Sequence, residues 1–538
     1  MISINRIKKR KYTFGTSLLI LLTLSLSCKK QVIQEDPYKG GKESLGVKFT
    51  SDEPDPASGS PGNEVTFKIN GLAKYKGDFE FLINETKAQV LGSTDSTLTV
   101  KVPENASTGG TTLLLDGQSF FGPKFTVEGK VTIDASFKAV NGTNGAINDI
   151  LATPDGNYML VGGFTNFESQ APAIPVNRIV MIASDGSFQS SLSAKEGADG
   201  TLQSIHRLNS GKYLVSGGFS SFNKRKGING LTRLNSNGSL DTAIVELINI
   251  RPENPLMGLD TVAAFNGGVY GSVAKSFVKD GKTTLLGNFN NYVSYYYYRS
   301  TRDLKVPDVT KMAQLVRLKE DGSMDSTFNF NEVTKTSYAG GNGAINGAFM
   351  QADGKIVAVG SFTTFHGVSA NYIVRINLDG TVDPGFATGT GADGAITSIS
   401  YNTITGKILL AGSFKNFNGK ARSGVVMLNT NGSVDDTFQF PQVLGGIPNY
   451  ASQLNNGKVL VSGGFNSYNG VIRQGFMILN QDGTLAQGYN NTGAFQGRVL
   501  KVLETTSALG NPAVILVGDF NKFDNRKVGN IVRVEIRQ

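Results

Sequence analysis

The chain has no tryptophan, one cysteine and two histidines in 538 residues, and charged side chains make up only 18% of it. A single thiol excludes a disulfide framework and gives no zinc-ligand spacing. His206 and His366 stand far apart in the sequence, so the usual general bases and metal ligands are scarce. Neither a Gly-rich phosphate loop nor an Asp-x-Asp-x-Asp-Gly calcium loop occurs. Most Asp residues fall in Asp-Gly turns or at the recurrent positions Asp241, Asp325, Asp383 and Asp435, a once-per-repeat placement that serves a fold better than a catalyst. Paired carboxylates brought together from distant segments remain possible, because such pairs need no sequence proximity. The expectation is a non-enzyme with no cofactor and no metal. The apolar run from Leu18 to Leu26 is also too short for a membrane span, which needs about 20 residues.

The net charge of +9 invites a nucleic-acid reading, but Arg6, Lys8, Lys9, Arg10 and Lys11 supply five of those charges ahead of the apolar run. Positive residues followed by a short apolar stretch form a secretory signal, here residues 1–27, and its removal leaves only +4. Nucleic acid is not implied. The one thiol, Cys28, ends the segment Leu24-Ser25-Leu26-Ser27-Cys28. This resembles a lipobox of the relaxed kind found in Bacteroidetes lipoproteins, with Ser25 where Leu is usual. The resemblance implies acylation of Cys28 and attachment to the membrane through an N-terminal lipid, in the outer membrane and facing the cell surface, with the periplasmic face as the alternative. The plainer alternative is an incidental Cys in a cleaved signal or a membrane helix. Residues 28–44 are polar, with Pro37 and Gly40-Gly41, and read as a flexible tether.

Residues 45–128 carry short alternating runs bounded by turns, such as Val65-Thr66-Phe67-Lys68-Ile69 and Leu98-Thr99-Val100-Lys101-Val102. Period-two patterns at this spacing predict an Ig-like β-sandwich. The run from Gly59 to Phe67, with Val100-Lys101-Val102-Pro103 and Gly109-Gly110, is similar to the IPT/TIG family. That resemblance implies a spacer or packing module, and the expectation is a spacer.

From residue 130 to residue 538 one unit recurs. Tyr158-Met159-Leu160-Val161-Gly162-Gly163-Phe164 has close copies ending at Phe219, Phe289, Phe362, Phe414, Phe465 and Phe520, at intervals of about sixty residues. In the fourth copy, Asp353-Gly354 turns between two apolar runs, Tyr372 to Asn377 forms the next, and Asp379-Gly380 turns again. Asp-Gly between apolar runs is a hairpin signal, and four strands per repeat make a propeller blade. The order Asp-Gly-Lys, Gly-Ser-Phe, Val-Arg-Ile and Asp-Gly-Thr-Val-Asp-x-x-Phe resembles the delta-60 repeat family. The seventh repeat stops at Ile531-Val532-Arg533-Val534 without its last element, which stands instead at Thr132-Ile133-Asp134-Ala135-Ser136-Phe137. Dividing one repeat between two ends suits a ring, so the prediction is an all-β chain: a sandwich, then a seven-bladed β-propeller closed by an N-terminal strand. The recurrent Gly-rich run is expected on the second, inner strand of each blade, its Gly pair allowing close approach and its Phe packing between blades.

Two repeats depart from the pattern. The second-to-third-strand connection of repeat three, from Phe289 to Leu315, is more than twice the usual length and includes Tyr292, Tyr295, Tyr296, Tyr297, Tyr298, Arg299 and Arg302. The connection from repeat two into three is expanded as well, from Ala243 to Leu259. In a four-stranded meander both emerge on one face, and long loops on a rigid scaffold are where binding sits. The plain reading of the tyrosines is an extra hairpin with rings packed together. The functional one is a platform for sugar rings, the two arginines addressing acidic groups, although lack of Trp weakens a glycan assignment. By analogy with surface glycan-binding lipoproteins, the expectation is a non-catalytic binder of polysaccharide working beside an outer-membrane importer. A protein-interaction scaffold and a polysaccharide lyase or hydrolase are the rivals.

Overall fold

The computed structural model describes residues 44–75, 77–170 and 173–537; the signal segment, Cys28 and nearly all of the tether lie outside them. Among the described residues no helix is long and apolar enough to cross a membrane, and the regular structure is strand, apart from short 3-10 turns. The described residues from Lys48 onward form one compact unit.

Residues 48–127 form the sandwich. Its eight strands follow one hydrogen-bonded path, in which Glu64–Asn70 and Glu80–Ile83 are separated by two other strands. Phe67 and Phe81, on those two strands, nevertheless meet at 4.7 Å between ring centroids, so the path curls back on itself and closes a core. Alternation of buried and exposed residues along Glu64–Asn70 shows the one-sided burial that the sequence pattern implies. This module is no free spacer. Thr108 N–H donates to Asn491 O (2.8 Å), Asn525 Nδ2 to Thr108 O (2.8 Å), and Arg473 to Asn105 O (3.1 Å). Asn491 also donates to Val127 O and Val131 O. The sandwich is therefore fastened to blades six and seven, an arrangement that sequence could not show because its partners there lie at least 364 residues away.

Among the described residues seven blade sheets follow, one per repeat, with six smaller sheets in the connections around them, and the blades close into a ring. Their first strands, from Ile147–Ala152 to Gln496–Thr506, neighbour one another in turn, and the last neighbours the first. Closure uses Val131–Ile133, which pairs antiparallel with Ile531–Ile536 through Val534 with Ile133 and Ile536 with Val131. The last blade thereby gains its fourth strand from the start of the propeller and leaves no open edge.

One expectation needs correction. The Gly-rich run forms the second strand of each sheet, as in Tyr158–Gly162, whereas the first strand lines the axis. The expected close approach is present and has a cause. Every first strand carries a β-bulge, between Ile147 and Asp149 in blade one and between Ile345 and Gly347 in blade four, for example. The bulge drives a carbonyl against the second strand, so a Cβ at Gly162 would overlap Ala146 O and one at Gly360 would overlap Ala344 O. Phe164, Phe219, Phe289, Phe362, Phe414, Phe465 and Phe520 each sit in a different core between neighbouring blades. Phe164, for instance, packs with Ile515, Val517 and Ile531 of blade seven. Burying such a ring contributes about 1.5–3 kcal/mol.

The recurrent Asp also has a structural task. Asp383 receives Arg375 Nε (2.8 Å) and Lys355 Nζ (2.7 Å), while the Arg375 guanidinium lies 4.7 Å from the Phe386 ring. Asp325, Arg317, Lys282 and Phe328 repeat the arrangement in blade three. In blade seven the same circuit is assembled from both ends of the propeller: Arg533 Nε meets Asp134 at 2.6 Å and stacks 4.7 Å from Phe137.

Candidate functional site

The two expanded connections converge. The second strand of blade three runs on to Tyr295 and pairs beyond the blade with Pro307–Lys311. Thr242–Glu246 and Leu259–Ala263 form a second hairpin within the connection from blade two. Ile248 N–H donates to Ser300 O (2.8 Å), and Arg302 donates to Leu256 O (3.2 Å), joining the two insertions. Asn266 clamps the backbone of Tyr295 by donating to its carbonyl (3.0 Å) and accepting from its N–H (2.9 Å). The Tyr-rich segment is thus an ordered hairpin, which is what the plain reading expected, with rings packed on one another.

The strand ends at Tyr295 and gives way to a 3-10 turn, Tyr297–Arg299, and the tyrosines divide into two pairs there. Tyr295 and Tyr297 stack at 6.2 Å with 24° between their planes, facing a cleft of about 700 Å³. The hairpin tip of blade two, Asn223 to Gly227, and Asp260 to Ala263 complete its lining, with Gly227 next to the Tyr295 ring. Five basic side chains line the cleft, Lys224, Arg225, Lys226, Arg302 and Lys305, against Asp260 and Asp303. Lys305 pairs with Asp260 (2.9 Å), Lys224 with Glu196 (2.6 Å), and Arg225 donates to Thr261 O. Lys226 pairs with Ser221 through its backbone, while its side-chain amino group has no hydrogen-bond or ion-pair partner among the described residues. Asn229 Nδ2 donates to the Tyr295 hydroxyl (3.2 Å) and fixes the ring. Burial, with Tyr295 and Asp260 nearby, pushes the Tyr297 phenol up to about 12. The Tyr297 hydroxyl therefore stays a neutral hydrogen-bond donor beside the basic side chains at physiological pH.

Other expected residues lie elsewhere. Tyr296 and Tyr298 make an edge contact at 5.8 Å, with the Arg299 guanidinium 5.0 and 5.2 Å from their rings. This set is separate from the cleft, and Tyr298 is 66% exposed. Tyr292 is buried in the core between blades two and three, its hydroxyl donating to Gly322 O (3.0 Å), and has no free face for a ligand. The repeat itself held that signal: Tyr292 follows Phe289 by three residues as Phe365 follows Phe362 and Phe417 follows Phe414, all buried. The basic hairpin was missed as well. Its signal was Lys224-Arg225-Lys226 at a tip where blades four and five have His366-Gly367 and Asn418-Gly419.

Both histidines are held in place. His366 accepts from Gly340 N–H (3.1 Å) and pairs with Gly380 O (3.1 Å), and burial lowers its pKa. His206 pairs with Ser276 Oγ (3.1 Å) next to the central channel, where burial likewise lowers its pKa. Among the described residues no three His, Cys, Asp or Glu side chains group as metal ligands.

Among solved structures, three similar chains illustrate the likeness. A protein of unknown function from Bacteroides thetaiotaomicron VPI-5482 is 12% identical, with 91% of this chain and 98% of that one covered and a TM-score of 0.27. An auxiliary nutrient binding protein from the same organism is 12% identical, with 91% and 100% covered and a TM-score of 0.28. The Cps50 (Swd1) β-propeller domain of Myceliophteria thermophila is 10% identical, with 74% and 99% covered and a TM-score of 0.36. No curated protein matches. Residues 21–123 match a domain of unknown function, DUF5008. Segments 208–243, 351–386, 405–438 and 454–485, in blades two, four, five and six, match the DUF5122 β-propeller, also a domain of unknown function.

Proposed function

We propose that the protein is a non-catalytic binder of acidic polysaccharide, held at the outer membrane by lipid on Cys28, with an IPT/TIG-like module fastened to a delta-60-like propeller. The observation that supports this most is the stacked pair Tyr295 and Tyr297 lining one cleft together with a hairpin tip of Lys224, Arg225 and Lys226. Tyrosine rings offer flat apolar faces to sugar rings, and their hydroxyls reach sugar oxygens. Arg225, Lys226 and Arg302 can meet the carboxylates or sulfates of an acidic chain. An open cleft on a rigid ring holds a polymer without enclosing it, which suits capture ahead of import through a neighbouring outer-membrane protein.

A second reading draws on the exposed Tyr296, Tyr298 and Arg299 cluster, because Tyr and Arg are the anchors of protein interfaces. Glycan arrays probed with protein from residue 29 onward separate the two. The proposal expects acidic glycans to be bound and Tyr295→Ala/Tyr297→Ala to abolish the signal. Binding to no glycan refutes it and favours the interface reading. Turnover of a polysaccharide, abolished by one carboxylate change, establishes the lyase or hydrolase instead.

A further inference from the structure

The bulge in every first strand places one residue of each blade at the same level of the central channel. Register assigns that level to Asp149, Ser204, Lys275, Ser398, Tyr450 and Lys501, with Gly347 completing it in blade four. Asp149 is already satisfied: it accepts from Ile205 N–H (3.1 Å) and Ile150 N–H (3.0 Å) and pairs with Lys501. Lys275 is a second lysine at this level, and its amino group has no hydrogen-bond or ion-pair partner among the described residues. Asp149 lies within electrostatic reach of it, but burial still pulls the Lys275 pKa down. The hydroxyls of Ser204 and Ser398 are buried without partners at the same level. The two hydroxyls are shielded from the cavity, whereas the half-buried Lys275 side chain lines it, and an anion there would give its amino group a partner.

Room for one exists. Lys275 stands where two cavities of the channel meet, and the one that also includes Ser204 and Lys501 measures about 360 Å³. Gly347 and Ala348 keep blade four short of side chain here. One wall is the stacked pair Phe349 and Tyr401, 4.5 Å apart and 13° from parallel. Glu504 also lines this cavity, but it stands three residues beyond Lys501, about 10 Å along the strand. Its carboxylate accepts from Asn455 N–H.

We propose that the channel is a second binding site, separate from the tyrosine cleft, which takes a small ring compound bearing a carboxylate. The carboxylate meets the Lys275 amino group, and the ring lies against Phe349 and Tyr401.

Thermal unfolding of the mature chain with D-glucuronate or benzoate, and with their neutral counterparts glucose and benzyl alcohol, tests this. At least one acid is expected to raise the melting temperature by several degrees at millimolar concentration, while its neutral counterpart does not. The shift should disappear in Lys275→Met, which keeps the length of the side chain and removes the unpaired charge, and in Lys275→Gln should the first variant fail to fold. It should persist in Tyr295→Ala/Tyr297→Ala. Absence of a shift with both acids, equal shifts with the neutral compounds, survival of the shift in the folded Lys275 variant, or its loss in the tyrosine variant would each overturn the proposal.

Discussion

Replacing Asp134 by Ala tests whether the propeller depends on its two-ended blade. Arg533 is 3% exposed and Asp134 5%, and their 2.6 Å contact joins strands 399 residues apart in sequence. Burial alone would raise the Asp134 carboxyl, but Ser136 and Arg533 outweigh it and hold the pKa below its ordinary value. Without Asp134, the Arg533 guanidinium keeps only Ser184 O (2.6 Å), Ser136 Oγ (3.2 Å) and the Phe137 face, with no counter-charge. Breaking a buried pair from one side costs about 3–5 kcal/mol. Urea unfolding should show a loss of that size for Asp134→Ala and a smaller one for Asp134→Ala/Arg533→Met, where no orphan charge remains. Removing the exposed Lys87–Glu80 pair should cost less than about 1 kcal/mol. Hydrogen exchange locates the effect, because the amides of Ile531–Ile536 should lose protection before those of blade four. A loss below about 1 kcal/mol for Asp134→Ala, or unchanged exchange at Ile531–Ile536, would refute the reasoning.

The two glycines of a recurrent pair should respond differently: Gly463→Ala would drive its Cβ into Ile447 O and cost about 1–3 kcal/mol. Gly464→Ala meets nothing within 4 Å, so its urea midpoint should stay close to wild type. At alkaline pH the stability should fall. Burial raises the phenols of Tyr297 and Tyr450 to about 12 and also raises that of Tyr468, so the folded state holds protons that the unfolded chain releases. Their contribution is fully present below about pH 10 and lost as pH rises toward 12, which unfolding midpoints measured across that range will show. Acid acts through the once-per-blade carboxylates. Asp241, Asp325, Asp383 and Asp435 are held below 3.8 by their Lys partners and by neighbouring Arg or Thr groups despite burial. Their stabilisation is complete above that value and declines as pH falls below it, so Asp383→Asn should flatten the acid limb of the pH–stability curve.

The ring and its closure were legible because Asp-Gly turns and Asp-x-x-Phe recur with a fixed order, and because one such element stands alone at Asp134 to Phe137. Which strand lines the axis was not legible. The first strands mix polar and apolar residues, as in Ile147–Ala152 and Thr201–Arg207, and so carry no apolar pattern that marks them as the axis-lining element, while the bulge that sets them apart is a tertiary feature. The bulge also conceals the channel level, since Asp149, Ser204, Lys275 and Tyr450 share a position without sharing a residue type. At the cleft, the long connections marked the right sector. Treating the tyrosines as one platform overlooked the end of the strand at Tyr295: the chain turns there into a 3-10 turn, Tyr297–Arg299, and the rings sort into two separate pairs, Tyr295 with Tyr297 and Tyr296 with Tyr298.

Native affinity electrophoresis measures the cleft most directly, using gels that contain polygalacturonate, alginate or chondroitin sulfate, with dextran as the neutral control. The wild-type chain from residue 29 should be slowed by at least one acidic polymer and not by dextran. Added salt should weaken the retardation because the lysines and arginines of the cleft are open to solvent screening. Tyr295→Ala/Tyr297→Ala should migrate freely at polymer concentrations at least tenfold higher, a loss of about 1.4 kcal/mol or more. Unhindered migration of the wild type in all three acidic gels, or equal retardation of the double variant, would contradict the account.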